Sequence, residues 1–301
     1  MQIDLTISSQ EARVKYTFSK LNGAGNDFIM IEDLADEISF TPEQVARICD
    51  RHFGIGGDGI IVVKPSPREE CAAYMDYYNS DGTKAQMCGN GVRCFSKFLV
   101  DRGIVDPEAS SFVADTLSGP KPITFALDDA NKMTLATVDM GEPILRAAEI
   151  PTRLHEHDTA YGPAVVEQEV NVGDRSYTVT CVSMGNPHAI VFVDDPYACD
   201  VEGIGRAIEN SKAFPEKTNV EFAHVGSHDI DMRVWERGCG ETLACGTGCC
   251  ATAVAAHITG RAGTKVPIHV LGGTLEIEWR EDNHVFMTGP AAEFFSGEFE
   301  I

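Results

Sequence analysis

The sequence predicts an α+β fold of two pseudo-symmetric domains produced by internal duplication, each a mostly antiparallel sheet wrapped round a central helix. Three observations predict it. The order of strand-like and helix-like periodicities in the first half recurs in the second. The phrase Cys-Gly-x-Gly opens a helical pattern once in each half, at Cys88 and at Cys245, and a shift of 157 residues superposes the two. The same shift places Tyr78-Asn79 on Trp235-Glu236, nine residues upstream in both halves. Most strand-like runs follow one another through short turns, which favours antiparallel pairing.

In chain order, alternating runs predict strands near residues 15–20, 27–32, 59–63 and 74–79. The first helix is announced by Thr41 as cap, Pro42 at its first position and Gln44 where a capping box wants an amide, with Gly54 expected to end it. A second helix is expected over 89–102, stopped by Gly103, and three strand-like runs then lead to Asp139. The second half gives strands near 177–182 and 188–193, a helix over 202–213, strands at 220–225 and 229–235, a helix over 247–258 and further strands to the end. Gly25-Asn26-Asp27-Phe28 faces Gly185-Asn186-Pro187-His188 in this scheme. Gly141-Glu142-Pro143 marks the hinge, so one lobe is expected over 1–140 and the other over 141–289.

Size and composition narrow the function. A chain of 301 residues with 43% hydrophobic content can bury two ordinary cores. Residues 1–18 hold no apolar run of signal-peptide or membrane-span length, so a cytoplasmic protein with ten reduced cysteines is expected. A formal charge of −22 repels phosphate backbones and anionic lipid, and no basic patch offsets it. The expected partner is a small molecule, with no nucleic acid and no membrane.

The duplicated cysteines carry the chemistry. The first turn of a helix presents unpaired N–H groups and the positive end of its dipole, which lower a thiol's pKa and bind carboxylates. Two such starts facing across a cleft would hold one amino-acid carboxylate, with a thiol on each side of the α-carbon. One thiolate removes a proton from one face while the other thiol delivers one to the opposite face. No metal is expected, since no Cys-x-x-Cys pair and no finger-like histidine spacing occurs. No cofactor is expected either, since no lysine has a Schiff-base context. Cys49, Cys71, Cys94, Cys181, Cys199, Cys249 and Cys250 read as packing residues, and Cys239 as an exposed loop residue. The run from Gly54 to Gly59 follows a helix and precedes a strand, the reverse of a dinucleotide loop, and reads as a tight turn bringing backbone close to the ligand or the other lobe.

These residues resemble the diaminopimelate epimerase family, within the racemases that need no pyridoxal phosphate. The likeness spans nearly the whole chain: Gly25-Asn26-Asp27-Phe28, Arg51 through Gly56, Asn79-Ser80-Asp81-Gly82, Cys88 through Cys94, Ser183 through His188, Asn219, Glu236-Arg237-Gly238 and Ala244 through Gly248. It implies interconversion of LL- and meso-diaminopimelate in lysine biosynthesis, with Cys88 and Cys245 as the acid/base pair. Gly89, Asn90, Gly246 and Thr247 would hold the reacting carboxylate. Asn26, Asn79, Asn186, Asn219, Glu236 and Arg237 would grip the rest of the substrate, and His188 and Glu236 would help set the protonation of the thiols. The resemblance also implies a homodimer and a last strand, residues 290–301, that returns to the first lobe. Two positions depart from the family pattern: Gly59, where some members carry glutamine, and Phe295, where some dimeric members carry tyrosine. Rival readings are a racemase of another amino acid, of histidine or proline type, and a redox-sensing binding protein whose paired thiols form a disulfide. Arg237 and the asparagines favour a substrate with a second polar end.

Overall fold

The computed structural model describes residues 14–85 and 87–301, so residues 1–13 of the expected first lobe lie outside the described residues. The first half runs β1 (Lys15–Gly23), β2 (Asn26–Glu32), α1 (Pro42–Cys49), β3 (Gly59–Lys64), β4 (Ala73–Asn79), α2 (Gly89–Asp101), β5 (Ser111–Asp115), β6 (Lys121–Leu127) and β7 (Met133–Asp139). The second runs β8 (His157–Thr159), β9 (Gly162–Val172), β10 (Arg175–Ser183), β11 (Pro187–Phe192), α3 (Val201–Glu209), β12 (Asn219–Val225), β13 (Ile230–Glu236), β14 (Gly240–Thr242) and α4 (Gly246–Ile258). The chain closes with β15 (Lys265–Val270), β16 (Gly273–Trp279), β17 (Val285–Pro290) and β18 (Ala292–Glu300).

Hydrogen bonding orders the first sheet β18, β1, β2, β3, β4, β5, β6, β7. It orders the second β9, β10, β11, β12, β13, β15, β16, β17. The two orders match strand for strand, which is the predicted duplication. Neighbours are antiparallel except at β2–β3 and β4–β5, and at the equivalent joints β11–β12 and β13–β15. A parallel pair cannot be closed by a tight turn and needs a crossover; α1, α2, α3 and α4 each lie in one of these crossovers. β7 and β17 pair antiparallel from Asp139 and Phe286 to Leu135 and Pro290, joining the sheets.

Helices α2 and α4 fill the centres of the two halves. α2 is buried from Gly89 through Val100, and α4 over most of its length to Ala256. The α4 sequence, GTGCCATAVAAHI, has no charged face, as a helix buried all round requires. Both helices start from a cysteine with extended backbone, Cys88 at φ −135°, ψ 121° and Cys245 at φ −126°, ψ 109°. After the C-cap of α2 at Arg102, Gly103 turns out of the helix at φ +74°.

Two expectations need correction. The capping box of α1 forms as predicted between Thr41 and Gln44, but the helix ends at Cys49 and not at Gly54. Asp50 takes an extended conformation and accepts the N–H groups of His52 and Phe53 at 2.7 and 2.8 Å, which stops the helix. The run from Gly54 to Gly59 then folds back on its own half: Gly57 N–H donates to the Cys49 carbonyl and Asp58 N–H to that of Asp27. Strands β8, β9 and β14 were also absent from the sequence reading. In β9 the alternation breaks at Glu167, which has φ +49° beside an irregular pairing with β10, and β8 and β14 are too short to show a period.

Candidate active site

Cys88 and Cys245 cap α2 and α4, and the first turns of these helices meet. A Cβ on Gly246 would stand 3.5 Å from the Cα of Gly89, and one on Gly89 would stand 3.7 Å from the Cα of Gly246. Met287 of β17 lies against both glycines, its Cε 2.8 Å from a Cβ at Gly89 and its Sδ 3.1 Å from one at Gly246. Glycine at both positions lets the helix starts approach one another. The caps differ in detail. Cys88 Sγ accepts the Gly91 N–H at 3.4 Å, whereas Cys245 Sγ makes no such bond and lies 3.5 Å from Thr247 Oγ1.

A string of hydrogen bonds runs from the α2 start toward solvent. Arg93 donates to Asn90 Oδ1 at 2.7 Å, Asn90 Nδ2 to Asn26 Oδ1 at 2.6 Å, and Asn26 Nδ2 to Asp58 at 3.0 Å. Arg51 bridges Asp58 and Asp27 at 2.8 and 2.6 Å. Partial burial alone would raise the Asp27 carboxyl, but hydrogen bonds from Arg51 and Lys20 hold it well below the usual carboxylate range. Asn26 thus belongs to a fixed network. It enters β2 after Gly25 at φ +94°, and Asn186 follows Gly185 at φ +93°, so the same left-handed turn presents an asparagine in each half.

In the second half, His188 is fully buried with both ring nitrogens engaged, Nδ1 by Glu221 Oε1 at 2.7 Å and Nε2 by Asn186 Oδ1 at 3.1 Å. No hydrogen bond joins His188 to either thiol. Glu221 was missed by the sequence reading. Its signal is an acid in the middle of β12, whose first five residues are all buried, where an apolar residue is the rule. Glu236, at the end of β13, accepts the Thr242 hydroxyl at 2.5 Å. Asn219 is buried and ties loops together, Nδ2 to the Pro187 carbonyl at 2.8 Å and Oδ1 to the Arg237 N–H at 2.9 Å. Asn79 bonds Thr83 in the turn after β4, and the exposed Arg237 guanidinium donates to the Glu216 carbonyl at 3.3 Å.

The expected lowering of the thiol pKa values is overturned. Burial pushes Cys88 up, the Gly91 and Asn90 N–H groups draw it back, Glu236 pushes it up again and Arg93 pulls it down. Burial raises Cys245 well above the ordinary thiol value, and Glu236 and Glu221 add to this. Desolvation therefore outweighs the helix starts. A thiolate formed in such a place is a strong base, which suits removal of a weakly acidic α-proton.

Between the halves lies a cleft of about 710 Å³, walled by Asn26, Arg51 and Asp58 on one side and Tyr197, Arg233 and Thr242 on the other. Neither thiol lines it; Asn26 links its wall to Asn90, and Thr242 links it to Glu236. Gly59 has no room for a side chain, since a Cβ there would collide with the Tyr78 carbonyl and lie 2.7 Å from the Tyr77 ring. Cys49, Cys71, Cys94, Cys181, Cys249 and Cys250 are buried, Cys199 is half-buried and Cys239 is exposed. Burial pushes Cys49, Cys94 and Cys250 up to about 12, which makes them inert.

A duplicated α+β fold with a central helix in each half is the architecture shared by the proline racemase-like folds. The solved structure of a probable proline racemase from Agrobacterium radiobacter K84 superposes with a TM-score of 0.67 at 14% identity, covering 94% of this chain and 92% of that one. The family model described as diaminopimelate epimerase matches residues 18–145 and 180–293. The diaminopimelate epimerase of Leptospira biflexa serovar Patoc is 44% identical over 289 residues, covering 96% of this chain and all of that protein. That of Synechococcus elongatus is 47% identical over 286 residues, covering 94% and 98%. The chain belongs to the diaminopimelate epimerase family.

Proposed function

We propose that the protein interconverts LL- and meso-2,6-diaminopimelate by proton transfer between Cys88 and Cys245, in lysine biosynthesis in the cytoplasm. The observation that carries this reading is the meeting of two cysteine-capped helix starts at Gly89 and Gly246. A carboxylate at that junction would receive N–H groups from both helices and bring its α-carbon between the thiols. The thiolate takes the α-proton as the C–H bond breaks and an S–H bond forms. The opposite thiol then gives its proton to the other face of the carbanion and becomes the thiolate. Charge that moves onto the carboxylate in the carbanion is met by helix-start N–H groups already in place. Gly89, Asn90, Gly246 and Thr247 are assigned to the reacting carboxylate. Asn26, Asn79, Asn186, Asn219, Glu236 and Arg237 are assigned to the remainder of the substrate. His188 and Glu236 are assigned to tuning the thiols, Glu236 through its charge and His188 through its pair with Glu221. The reaction as written uses no cofactor and no metal.

The experiment is incubation of metal-free, pyridoxal-free protein with LL-diaminopimelate in D₂O, followed by chiral analysis. Formation of the meso isomer with deuterium at the inverted carbon is expected; no inversion and no label would overturn the reading.

We assign residues 1–140 with 290–301 to one lobe and 141–289 to the other. The pairing of β18 with β1 supports the return of the chain end to the first lobe. β18 pairs on one side with β1 and exposes Phe294 and Phe295 by 64% and 51%, a surface that suits a homodimer. Phe295 stacks edge-on to Phe18 at 6.0 Å, so aromatic contact remains without a tyrosine hydroxyl.

A further inference from the structure

Arg93 is a charged side chain to which the proton transfer just described gives no part. It is fully buried, and among the described residues no carboxylate pairs with it. Its guanidinium donates to the carbonyls of Gly89 at 3.0 Å and Pro290 at 3.3 Å and to Asn90 Oδ1 at 2.7 Å. The groups that face it are Cys88 and Cys94 of α2, Cys249 and Cys250 of α4, and Met287 of β17. Carbonyl dipoles offset only part of the cost of burying a cation, so a balancing negative charge is favoured nearby. Cys88 caps the helix turn that Arg93 holds through the Gly89 carbonyl, so a Cys88 thiolate, or an anion at the helix starts, is placed to supply that charge. The position equivalent to Arg93, five residues after Cys245, is Cys250, so this charge belongs to one half alone.

We propose that Arg93 is a positioning residue for the reacting end of the substrate: it fixes the Asn90 amide and the first turn of α2, and its buried charge balances the anion held there. The hydrogen-bond polarity supports the first part. Arginine only donates, so Asn90 turns its oxygen inward and its Nδ2 toward Asn26. Asp58 as a carboxylate only accepts, so Asn26 turns its Nδ2 outward. The string from Arg93 to Asp58 therefore has one direction, and both amides present defined faces. This inference rests on the reading of Cys88 as one of the two acid/base thiols.

The test uses R93K and R93Q with two readouts: kinetics with LL-diaminopimelate, and the rate at which iodoacetamide alkylates Cys88 in substrate-free protein at pH 8, followed by peptide mass spectrometry. Glu236, the other charge acting on Cys88, is unchanged in both variants. R93Q is expected to slow Cys88 alkylation by about tenfold or more while exposed Cys239 reacts as before. R93K keeps the charge, so Cys88 alkylation should stay within about threefold. Its ammonium gathers its donors on one nitrogen and cannot reproduce the planar fork that reaches Gly89 and Asn90 from two, so kcat should fall by about tenfold or more with a smaller change in KM. Wild-type alkylation of Cys88 in R93Q, or wild-type kcat in R93K, overturns the proposal; if R93Q does not fold, the R93K kinetics decide alone. Wild-type protein that fails to turn over diaminopimelate would count against the proposed activity, and the alkylation arm would still decide the role of Arg93.

Discussion

His188 Nδ1 and Glu221 Oε1 lie 2.7 Å apart in a fully buried pair that has no counterpart in the first half. The parallel joints set the equivalence: Phe28 pairs with Gly59 as His188 pairs with Asn219, so Phe28 stands for His188 and Ile61 for Glu221. The duplication kept the geometry and placed this histidine–carboxylate pair in the second half, on the side of Cys245. Glu221 Oε2 is buried and has no hydrogen-bond partner among the described residues, and Oε1 lies 2.7 Å from where a Cβ on Gly248 would sit, beside Cys245.

Replacing this acid separates its two effects. Burial pushes the Glu221 carboxyl up and His188 draws it back; Glu221→Gln keeps the shape and an acceptor for His188 but removes the negative charge that the ionised acid places beside Cys245. A negative neighbour raises a thiol, so its loss should lower Cys245 and speed its alkylation at pH 8, with only a small change in thermal stability. Glu221→Ala leaves His188 Nδ1 unpaired in a buried space, at a cost of about 1–3 kcal/mol before any cavity is counted. Thermal melts and mass mapping check both; equal alkylation of Cys245 in wild type and Glu221→Gln would refute the electrostatic part.

The glycine contact gives a second expectation. Gly246→Ala adds a methyl where Met287 Sδ is 3.1 Å and the Gly89 Cα 3.5 Å away. Alanine favours a helix over glycine by about 0.5–1 kcal/mol, and the end of the Met287 side chain is flexible, so stability should change by about 1 kcal/mol or less. The methyl also stands where a carboxylate must approach the N–H groups. KM should rise by about tenfold or more while the melting temperature barely moves, and unchanged KM would show that the substrate does not use this junction.

The thiols themselves should behave as a pair. Cys88→Ala and Cys245→Ala should each abolish inversion with the fold intact, since each serves one face of the carbon, while Cys239→Ala and Cys249→Ala should be mild by comparison. Both reactive thiols are raised from the ordinary value, and the thiolate is the deprotonated form, so kcat/KM should climb with pH from about 7 to 9. A flat profile over that range would mean that neither thiol titrates where burial puts it.

The features legible in the sequence were those written in period or in punctuation. Cys88 and Cys245 stood out because each opens a helix after a strand at equal spacing, and the capping box at Thr41 and Gln44 is local chemistry. Gly54 misled because a glycine after a helical pattern usually marks its end, whereas here the Asp50 carboxylate stops the chain first. Arg93 and Glu221 were passed over because charged residues are normally solvated, and only tertiary packing buries them. The direction of the thiol shifts was misjudged for the same reason: a helix start is local and visible in the sequence, while desolvation depends on everything packed above it.

The last expectation concerns the end of the substrate that does not react. At that end the candidate groups are Asn79, Asn186, Asn219 and Arg237, and the structure holds three of them by fixed bonds: Asn79 to Thr83, Asn186 to His188, and Asn219 to Pro187 and the Arg237 N–H. Amides held in this way cannot rotate freely to suit a ligand of the opposite hand. A distal carbon of the wrong configuration exchanges its ammonium and carboxylate positions and leaves donors and acceptors unpaired, at about 1–3 kcal/mol for each. Two such mismatches cut turnover by orders of magnitude. LL- and meso-diaminopimelate should therefore interconvert while the DD isomer is inert. Arg237 is exposed, and among the described residues its guanidinium bonds the Glu216 carbonyl alone, at 3.3 Å, so it is free to swing onto a distal carboxylate. Arg237→Met should accordingly raise KM for diaminopimelate by about tenfold or more without changing the melting temperature. Chiral analysis of the three isomers with wild type and variant checks this; rapid turnover of DD-diaminopimelate, or of lysine at a similar rate, would mean that the distal end is not read and that the protein is a broad-specificity racemase.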